Sequence, residues 1–450
     1  MERRNAMIKV GMVSLGCSKN QVDGERLLAL LPGEEFAISS DPGECQVVIV
    51  NTCGFIEDAK QESIDIILEF AALKKGGVLQ CLVVTGCLAE RYQEELAREI
   101  PEADVVLGIG KNSDIAAAIH KALHGDRVVE FAPKDALSLE GERVLANAPY
   151  FAYVKVAEGC DNRCSYCAIP LIRGDFRSRP LESILEEVRT LAARGVKEIN
   201  LVAQDTSRYG LDLYGEYKLP ELIHMVCAVE GVHWVRILYC YPDRITGELI
   251  AAMASEPKVC RYLDIPVQHG SAKVLREMNR RGDRETILEV VRRIREGLPG
   301  AAIRTTMIAG FPGETEEDFA QLQALVAEAR FDRLGCFAYS QEEDTPAGER
   351  EDQLPEDLRR RRADLIMEQQ APIAFAAAQS QVGKTLEVLV EGKRGSGYYG
   401  RSYMDAPDID TRVVFTSGER CRPGDFVFVR ITAAEGYDLA GEAVKGGDGE

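Results

Sequence analysis

Four short apolar runs, Val10–Leu15, Val47–Asn51, Leu82–Thr85 and Val105–Leu107, alternate with stretches of amphipathic helical period. Runs this short, separated by helix-length segments, fold as a parallel sheet with crossover helices. Cysteine follows the carboxyl end of three of them: Cys17, Cys53 and Cys87, spaced 36 and 34 residues apart, about one strand and helix each. In a parallel sheet those ends gather along one edge, so three thiols distant in sequence meet in space. The competing reading is that they are buried small hydrophobes, a common fate of free cysteine.

From Gly125 to Ala148 the periodicity fades into a charged, weakly apolar stretch, which reads as a linker. A second alternation runs from Phe151 to about Ser340, with expected strands at Ala152–Val156, Glu198–Val202, Trp234–Leu238, Tyr262–Ile265, Ile303–Ile308 and Arg333–Tyr339. Six strand and helix units exceed a small open sheet and predict a partial (β/α) barrel. After Pro355 comes a helix-forming stretch that contains Arg359 to Arg362 and ends near Ala378; such a basic run reads first as a solvated helix face. Beyond it, Gly-rich turns separate expected strands at Thr385–Glu391, Arg412–Phe415, Phe426–Ile431 and Asp438–Ala443, the pattern of a small antiparallel β-barrel. The tail Gly446–Glu450 is expected to fray. The chain is therefore an α/β multidomain protein, divided at 7–124, a linker at 125–148, 149–378 and 379–445, with the tail 446–450.

Composition narrows the function. The 450 residues carry 54 Lys and Arg against 73 Asp and Glu, a net charge of −19, and 46% are hydrophobic. That is too apolar for disorder and too long for one core. The acidic balance argues against coating nucleic acid phosphates and suits a basic partner. No apolar segment follows Met1–Met7 and no run is long enough for a membrane helix, so a cytoplasmic protein is expected. Thirteen cysteines in such a chain are not a disulfide framework; some of them should be metal ligands or catalytic.

The most compact motif is Cys160, Cys164 and Cys167 in Glu158-Gly159-Cys160-Asp161-Asn162-Arg163-Cys164-Ser165-Tyr166-Cys167. Three thiols at C-x3-C-x2-C just past a strand suit three irons of a 4Fe-4S cubane and leave the fourth iron open for substrate or cofactor. A zinc site generally takes a fourth ligand, and no further His or Cys follows within the loop. Gly310-Phe311-Pro312-Gly313-Glu314-Thr315 follows one strand and precedes a helix, so its glycines permit close backbone approach, while Thr315 with Asp318 reads as a capping box. Gln204 and Asp205, and Gln268 and His269, follow other strands at the expected mouth of the barrel. A lone His is more often a hydrogen-bonded structural group than a ligand.

The C-x3-C-x-aromatic-C signature resembles that of radical S-adenosylmethionine enzymes, with Tyr166 at the aromatic position. In that family S-adenosylmethionine binds the open iron, and one electron cleaves it to a 5'-deoxyadenosyl radical able to abstract hydrogen from an unactivated carbon. Together the two triads, with Leu15-Gly16-Cys17, Asn51-Thr52-Cys53 and Thr85-Gly86-Cys87, resemble the methylthiotransferase family over nearly the whole chain. The resemblance implies an auxiliary 4Fe-4S cluster on Cys17, Cys53 and Cys87, a radical 4Fe-4S cluster on Cys160, Cys164 and Cys167, and a substrate-binding C-terminal TRAM barrel. Ser18 stands where many relatives have proline. Cys45, Cys81, Cys227, Cys240, Cys260, Cys336 and Cys421 match no family ligand and read as structural. Strand-end position makes Tyr166, Gln204, Gly310 and Gly313 candidates for contact with S-adenosylmethionine, and no residue is required as a general base.

Two molecules of S-adenosylmethionine are implied, one donating a methyl group to sulfur at the auxiliary cluster and one cleaved to the radical; a reducing electron donor is implied as partner. Ser178-Arg179-Pro180, the segment Ala203 to Gly210, Tyr239 to Asp243 and Cys336 to Ser340 are similar to the branch that modifies the β-carbon of an aspartate on small-subunit ribosomal protein twelve, free or in the subunit. The alternative branch modifies an adenosine of tRNA beside the anticodon. Residues 381–450 carry nine Lys and Arg against twelve Asp and Glu, unlike a barrel that grasps tRNA, and Asp405, Asp408 and Asp410 offer carboxylates to a basic protein loop.

Overall fold

The structure is a computed structural model and describes residues 7–77 and 79–445. The expected tail 446–450 lies outside the described residues. Packing divides the chain into two units: one comprises the residues up to Asn147 with Lys155–Arg179 and Ser340–Glu349, the other Ala148–Val154, Pro180–Tyr339 and Arg350 onward. The loop bearing Cys160, Cys164 and Cys167 therefore packs with the first unit.

In the first unit β1 (Ile8–Ser14), β2 (Phe36–Ser39), β3 (Val47–Thr52), β4 (Cys81–Gly86), β5 (Val105–Leu107) and β6 (Val128–Glu130) form one sheet in the order β2-β1-β3-β4-β5-β6. All five pairings are parallel. Alternate residues of β3 and β4 enter two cores, Val47, Ile49, Cys81 and Val83 on one face and Val48, Val50, Leu82 and Val84 on the other. Burial on both faces is why these strands are continuous apolar runs. The chain then passes through β7 (Phe151–Lys155) into the hairpin of β8 (Ala157–Glu158) and β9 (Arg177–Ser178), which brackets the second cysteine loop.

The stretch 125–148, expected as a linker, is instead packed into the first unit as far as Asn147. It supplies the edge strand β6, and beyond it Val144 donates its N–H to Glu25 while the Arg143 guanidinium pairs with the Glu25 carboxylate and Glu140 pairs with Arg179. Its apolar anchors, Val128, Leu137 and Val144, are too sparse to form a period, and the rest are charges and backbone groups, which hydrophobic periodicity does not register. Ser340–Glu349 is fastened similarly: Glu342 accepts from Arg91 at 2.7 Å, with Lys60 at 3.3 Å, and Tyr92 donates to Glu343 at 2.9 Å.

The second unit holds a six-stranded sheet ordered β14-β13-β12-β11-β10-β7, where β10 is Glu198–Val202, β11 Trp234–Ile237, β12 Val259–Asp264, β13 Ala302–Ala309 and β14 Arg333–Ala338. Strands in sequential order joined by helices are the arrangement of a partial barrel. Helix Glu356–Gln379 leads to a closed barrel of β15 (Thr385–Arg394), β16 (Gly397–Ser402), β17 (Val413–Thr416), β18 (Phe426–Glu435) and β19 (Asp438–Val444). Four of its pairings are antiparallel as expected, and β17 with β19 is parallel. Strand β16, Gly-Tyr-Tyr-Gly-Arg-Ser, carries two glycines and no apolar alternation, which hides it in the sequence. Among the described residues no helix is long and apolar enough to cross a membrane.

Candidate metal centre

The chain leaves β1 to form β2 on one side and then β3 on the other, so the strand order, though not the strand direction, reverses between β1 and β3. The crevice beyond the carboxyl ends at such a reversal is where open parallel sheets hold ligands. Cys17 follows β1 and is the N-cap residue of helix Ser18–Ala29, Cys53 follows β3, and Cys87 opens helix Cys87–Glu99 directly after β4. Gly16, at φ +85°, lets the first two loops touch: a Cβ there would lie 2.7 Å from Cys53 Sγ.

Asn20, buried on the helix that Cys17 caps, ties the loops together. Its Nδ2 donates to the carbonyls of Leu15 at 2.9 Å, Thr52 at 3.1 Å and Asn51 at 3.3 Å. Its Oδ1 accepts from Arg173 Nη2 at 3.0 Å, and the same Nη2 lies 3.0 Å from Cys87 Sγ. Ser63 clamps Cys53, accepting from its N–H and donating to its carbonyl, each at 3.0 Å.

Burial pushes the Cys53 thiol up to about 12, and the nearby Cys87 and Cys17 add to the rise. Cys87 is likewise raised, by burial first, with Arg173 opposing. At Cys17, desolvation among its neighbours is outweighed by Lys19, by the N–H groups of Asn20 and Lys19 and by Arg173, and the thiol stands below its ordinary value. Three thiolates here would repel one another, and a cationic iron cluster relieves that repulsion.

The second triad sits on a tightly bound loop. Gly159 has φ +77°, and a Cβ there would collide with the Asp175 carbonyl. Cys160 donates its N–H to Gly174 O at 3.1 Å, Cys167 to Cys164 O at 3.0 Å, and Phe176 to Asp161 Oδ1 at 2.8 Å. Cys160 and Cys164 are buried and Cys167 is partly exposed. Among the described residues no three His, Cys, Asp or Glu side chains converge as the ligands of one ion do. A 4Fe-4S cubane differs from such a site in that each thiol takes its own iron.

Tyr166 is half-buried on the same loop, in the first unit. Gln204, Gly310 and Gly313 belong to the second unit, each at the carboxyl edge of its sheet. The amide of Gly310 donates to Glu314 Oε2 at 2.8 Å and that of Gly313 to Asp352 O at 3.0 Å, so neither N–H is available to an anion. The Thr315 and Asp318 capping box forms as expected. His269 is structural: Nδ1 accepts from the Ser271 amide at 2.9 Å, which places the proton on Nε2, 3.3 Å from Glu314. Gln268 has φ +70° and is buried, and its Oε1 meets no donor among the described residues; the same holds for Asn200 Oδ1 on β10.

Asp405 and Asp410 are not substrate-facing carboxylates. Asp405 accepts from Ser402, Thr411 and Arg333, and Asp410 from Tyr262 at 2.6 Å and the Ala406 amide at 2.9 Å. Only Asp408 of the three is exposed. The arginine run is a structural helix face: Arg362 binds Glu314 and Glu316, Arg359 the Tyr339 carbonyl, and Arg360 Glu356 one turn away. Sequence reading missed Asn20, Asp23, Lys155 and Arg173. The available signal was charge inside apolar context, as at Lys155 within Phe-Ala-Tyr-Val-Lys, where every residue is buried.

Family models match three stretches: the Radical SAM superfamily at 154–326, the uncharacterized protein family UPF0004 at 9–108 and the TRAM domain at 382–444. A protein of Desulfitobacterium hafniense (strain Y51) named ribosomal protein uS12 methylthiotransferase RimO is 50% identical over 440 residues, 97% of this chain and 99% of the relative. The chain belongs to the RimO methylthiotransferase family. A relative of that name from Lachnoclostridium phytofermentans is 47% identical over 97% of this chain and 100% of its own length. Among solved structures, the radical S-adenosylmethionine methyltransferase TsrM from Kitasatospora setae matches with a TM-score of 0.54 at 17% identity, covering 76% of this chain and 75% of that one. That likeness is one of fold. Membership makes the chain a transferase of sulfur-containing groups, and its central domain one of the Radical SAM superfamily.

Proposed function

We propose that this chain installs a methylthio group on the β-carbon of an aspartate of ribosomal protein uS12, in the cytoplasm, with Cys17, Cys53 and Cys87 holding one 4Fe-4S cluster and Cys160, Cys164 and Cys167 the other. The observation that carries the reading is the presence of both thiol triads on constrained loops in a chain half identical to proteins named ribosomal protein uS12 methylthiotransferase. When bound, the clusters would supply the electron, received from an external reductant, and the site of the sulfur to be transferred, and two molecules of S-adenosylmethionine per turnover the methyl group and the hydrogen-abstracting power. The protein's own part is positional. Asn20 and Ser63 hold the loops that present Cys17 and Cys53, and Arg173 holds Cys87. Tyr166 and Gln204 orient S-adenosylmethionine. Gly310 and Gly313 shape the turn beside it, their amides engaged and the space a Cβ would take filled by Arg359 and Asp352, and Gln268 accepts a hydrogen bond from it or from the substrate. The functional division is 7–124 for the auxiliary cluster, 149–378 for the radical core and 379–445 for substrate.

Mass spectrometry of uS12 and of tRNA nucleosides, from cells with and without this chain, tests the reading. A methylthio mass increment on one uS12 aspartate that disappears with the chain is expected. Unmodified uS12 in both strains, with tRNA methylthiolation lost, would overturn it. Equal yields of S-adenosylhomocysteine and 5'-deoxyadenosine per modified uS12 test the use of two S-adenosylmethionine molecules.

A further inference from the structure

The first unit contains a buried group of charges that neither cysteine motif requires. Asp23, Lys155, Glu158 and Arg173 are each no more than 5% exposed. Lys155 bonds both Asp23 and Glu158, and Arg173 Nη1 bonds Asp23 and lies 3.5 Å from Glu158. Two cations thus balance two carboxylates, which is the condition for keeping charge out of water. The quartet has an end on each triad. Glu158 Oε1 accepts the N–H of Gly159, immediately before Cys160. At the other end Arg173, six residues after Cys167, directs Nη2 at Cys87 Sγ and Asn20 Oδ1, both at 3.0 Å. The loop that carries the second triad therefore supplies the cation that touches the first. Ala168 and Ile172, packed with Cys87, exclude water from this contact.

We propose that Arg173 is a positioning residue that sets the reduction potential of the cluster on Cys17, Cys53 and Cys87, an inference that rests on the ligand assignment above. A guanidinium N–H donated to a ligating sulfur stabilises the more electron-rich state of a cluster, as does a fixed positive charge beside it, and both raise its potential. Asp23 and Asn20 fix the guanidinium plane so that the donor stays on Cys87.

The test uses the full chain with Cys160, Cys164 and Cys167 replaced by alanine, reconstituted with iron and sulfide, so that one cluster is read alone by an EPR-monitored redox titration. Arg173→Gln is expected to move the midpoint to more negative potential, lowering the reduced-to-oxidised ratio at the parent midpoint about tenfold, about 59 mV for one electron. If Arg173→Gln folds poorly because Asp23 and Glu158 are left with Lys155 as their one cation in the quartet, Arg173→Gln with Asp23→Asn removes both charges and should still shift the midpoint in the same direction, because the sulfur has lost its donor. Iron content and circular dichroism equal to the parent with an unchanged midpoint in either variant would overturn the role of Arg173. Failure of the parent to bind iron at all would overturn the ligand assignment, and the proposal with it.

Discussion

At the scale of single residues, the cysteines carry the chemistry and their neighbours fix where they stand. Asn20→Ala removes the donor for three carbonyls, of which those of Asn51 and Thr52 are buried, and a buried group left unsatisfied costs about 1–3 kcal/mol. Its expected result is a lower melting temperature and reduced iron loading at the first triad, read by calorimetry and iron analysis in the Cys160, Cys164 and Cys167 alanine background. Gly159→Ala should lose cluster from the second triad while the first keeps its iron, since a Cβ would force the loop off the Asp175 carbonyl. Asp405→Asn breaks a buried pair with Arg333 and should destabilise by about 3–5 kcal/mol in denaturant titrations. Asp408→Asn, at an exposed position, should leave stability unchanged. In the sequence the three aspartates look alike, because their difference lies in partners that are distant along the chain.

Helices and turns are held by local chemistry that the sequence displays more fully. The capping box of Thr315 and Asp318 is legible because both partners lie within one turn, and its loss in Asp318→Ala should cost about 0.5–2 kcal/mol. Desolvation works to raise the Asp318 carboxyl, but hydrogen bonds from Ser271, Thr315 and Lys273 hold it well below the usual carboxylate range. A carboxyl whose folded pKa is depressed contributes fully above its unfolded value and loses that contribution as pH falls towards the folded one. The stability gap between wild type and Asp318→Asn should therefore narrow on acidification below about pH 4, as measured by urea midpoints at stepped pH. Central strands such as β3 and β4 are visible as apolar runs because both faces are buried. The edge strands β2 and β6, four and three residues long, were not, since they are defined by hydrogen bonds to a distant neighbour and stay partly exposed.

For the molecule as a whole, the net charge of −19 predicts that association with a basic protein weakens as salt rises. Stopped-flow binding of purified uS12 should show the loss chiefly in the association rate. The order of domains was readable from repeated strand and helix units and from the change to short strands near the C-terminus. The composition of the first unit was not, because it collects three separate stretches of chain: the residues up to Asn147, Lys155–Arg179 and Ser340–Glu349. On the ribosome that is a matter of timing. Cys17, Cys53 and Cys87 emerge early, but Arg173 reaches Cys87 only after the next segment has been made. Glu342, which binds Arg91 and Lys60, emerges after most of the chain has been translated. At synthesis rates of about 5–20 residues per second, the interval between Cys87 and Glu342 is tens of seconds at the slow end. A nascent chain arrested before residue 340 should expose Arg91 and Lys60 to labelling reagents, and one extended past residue 349 and clear of the exit tunnel should protect them.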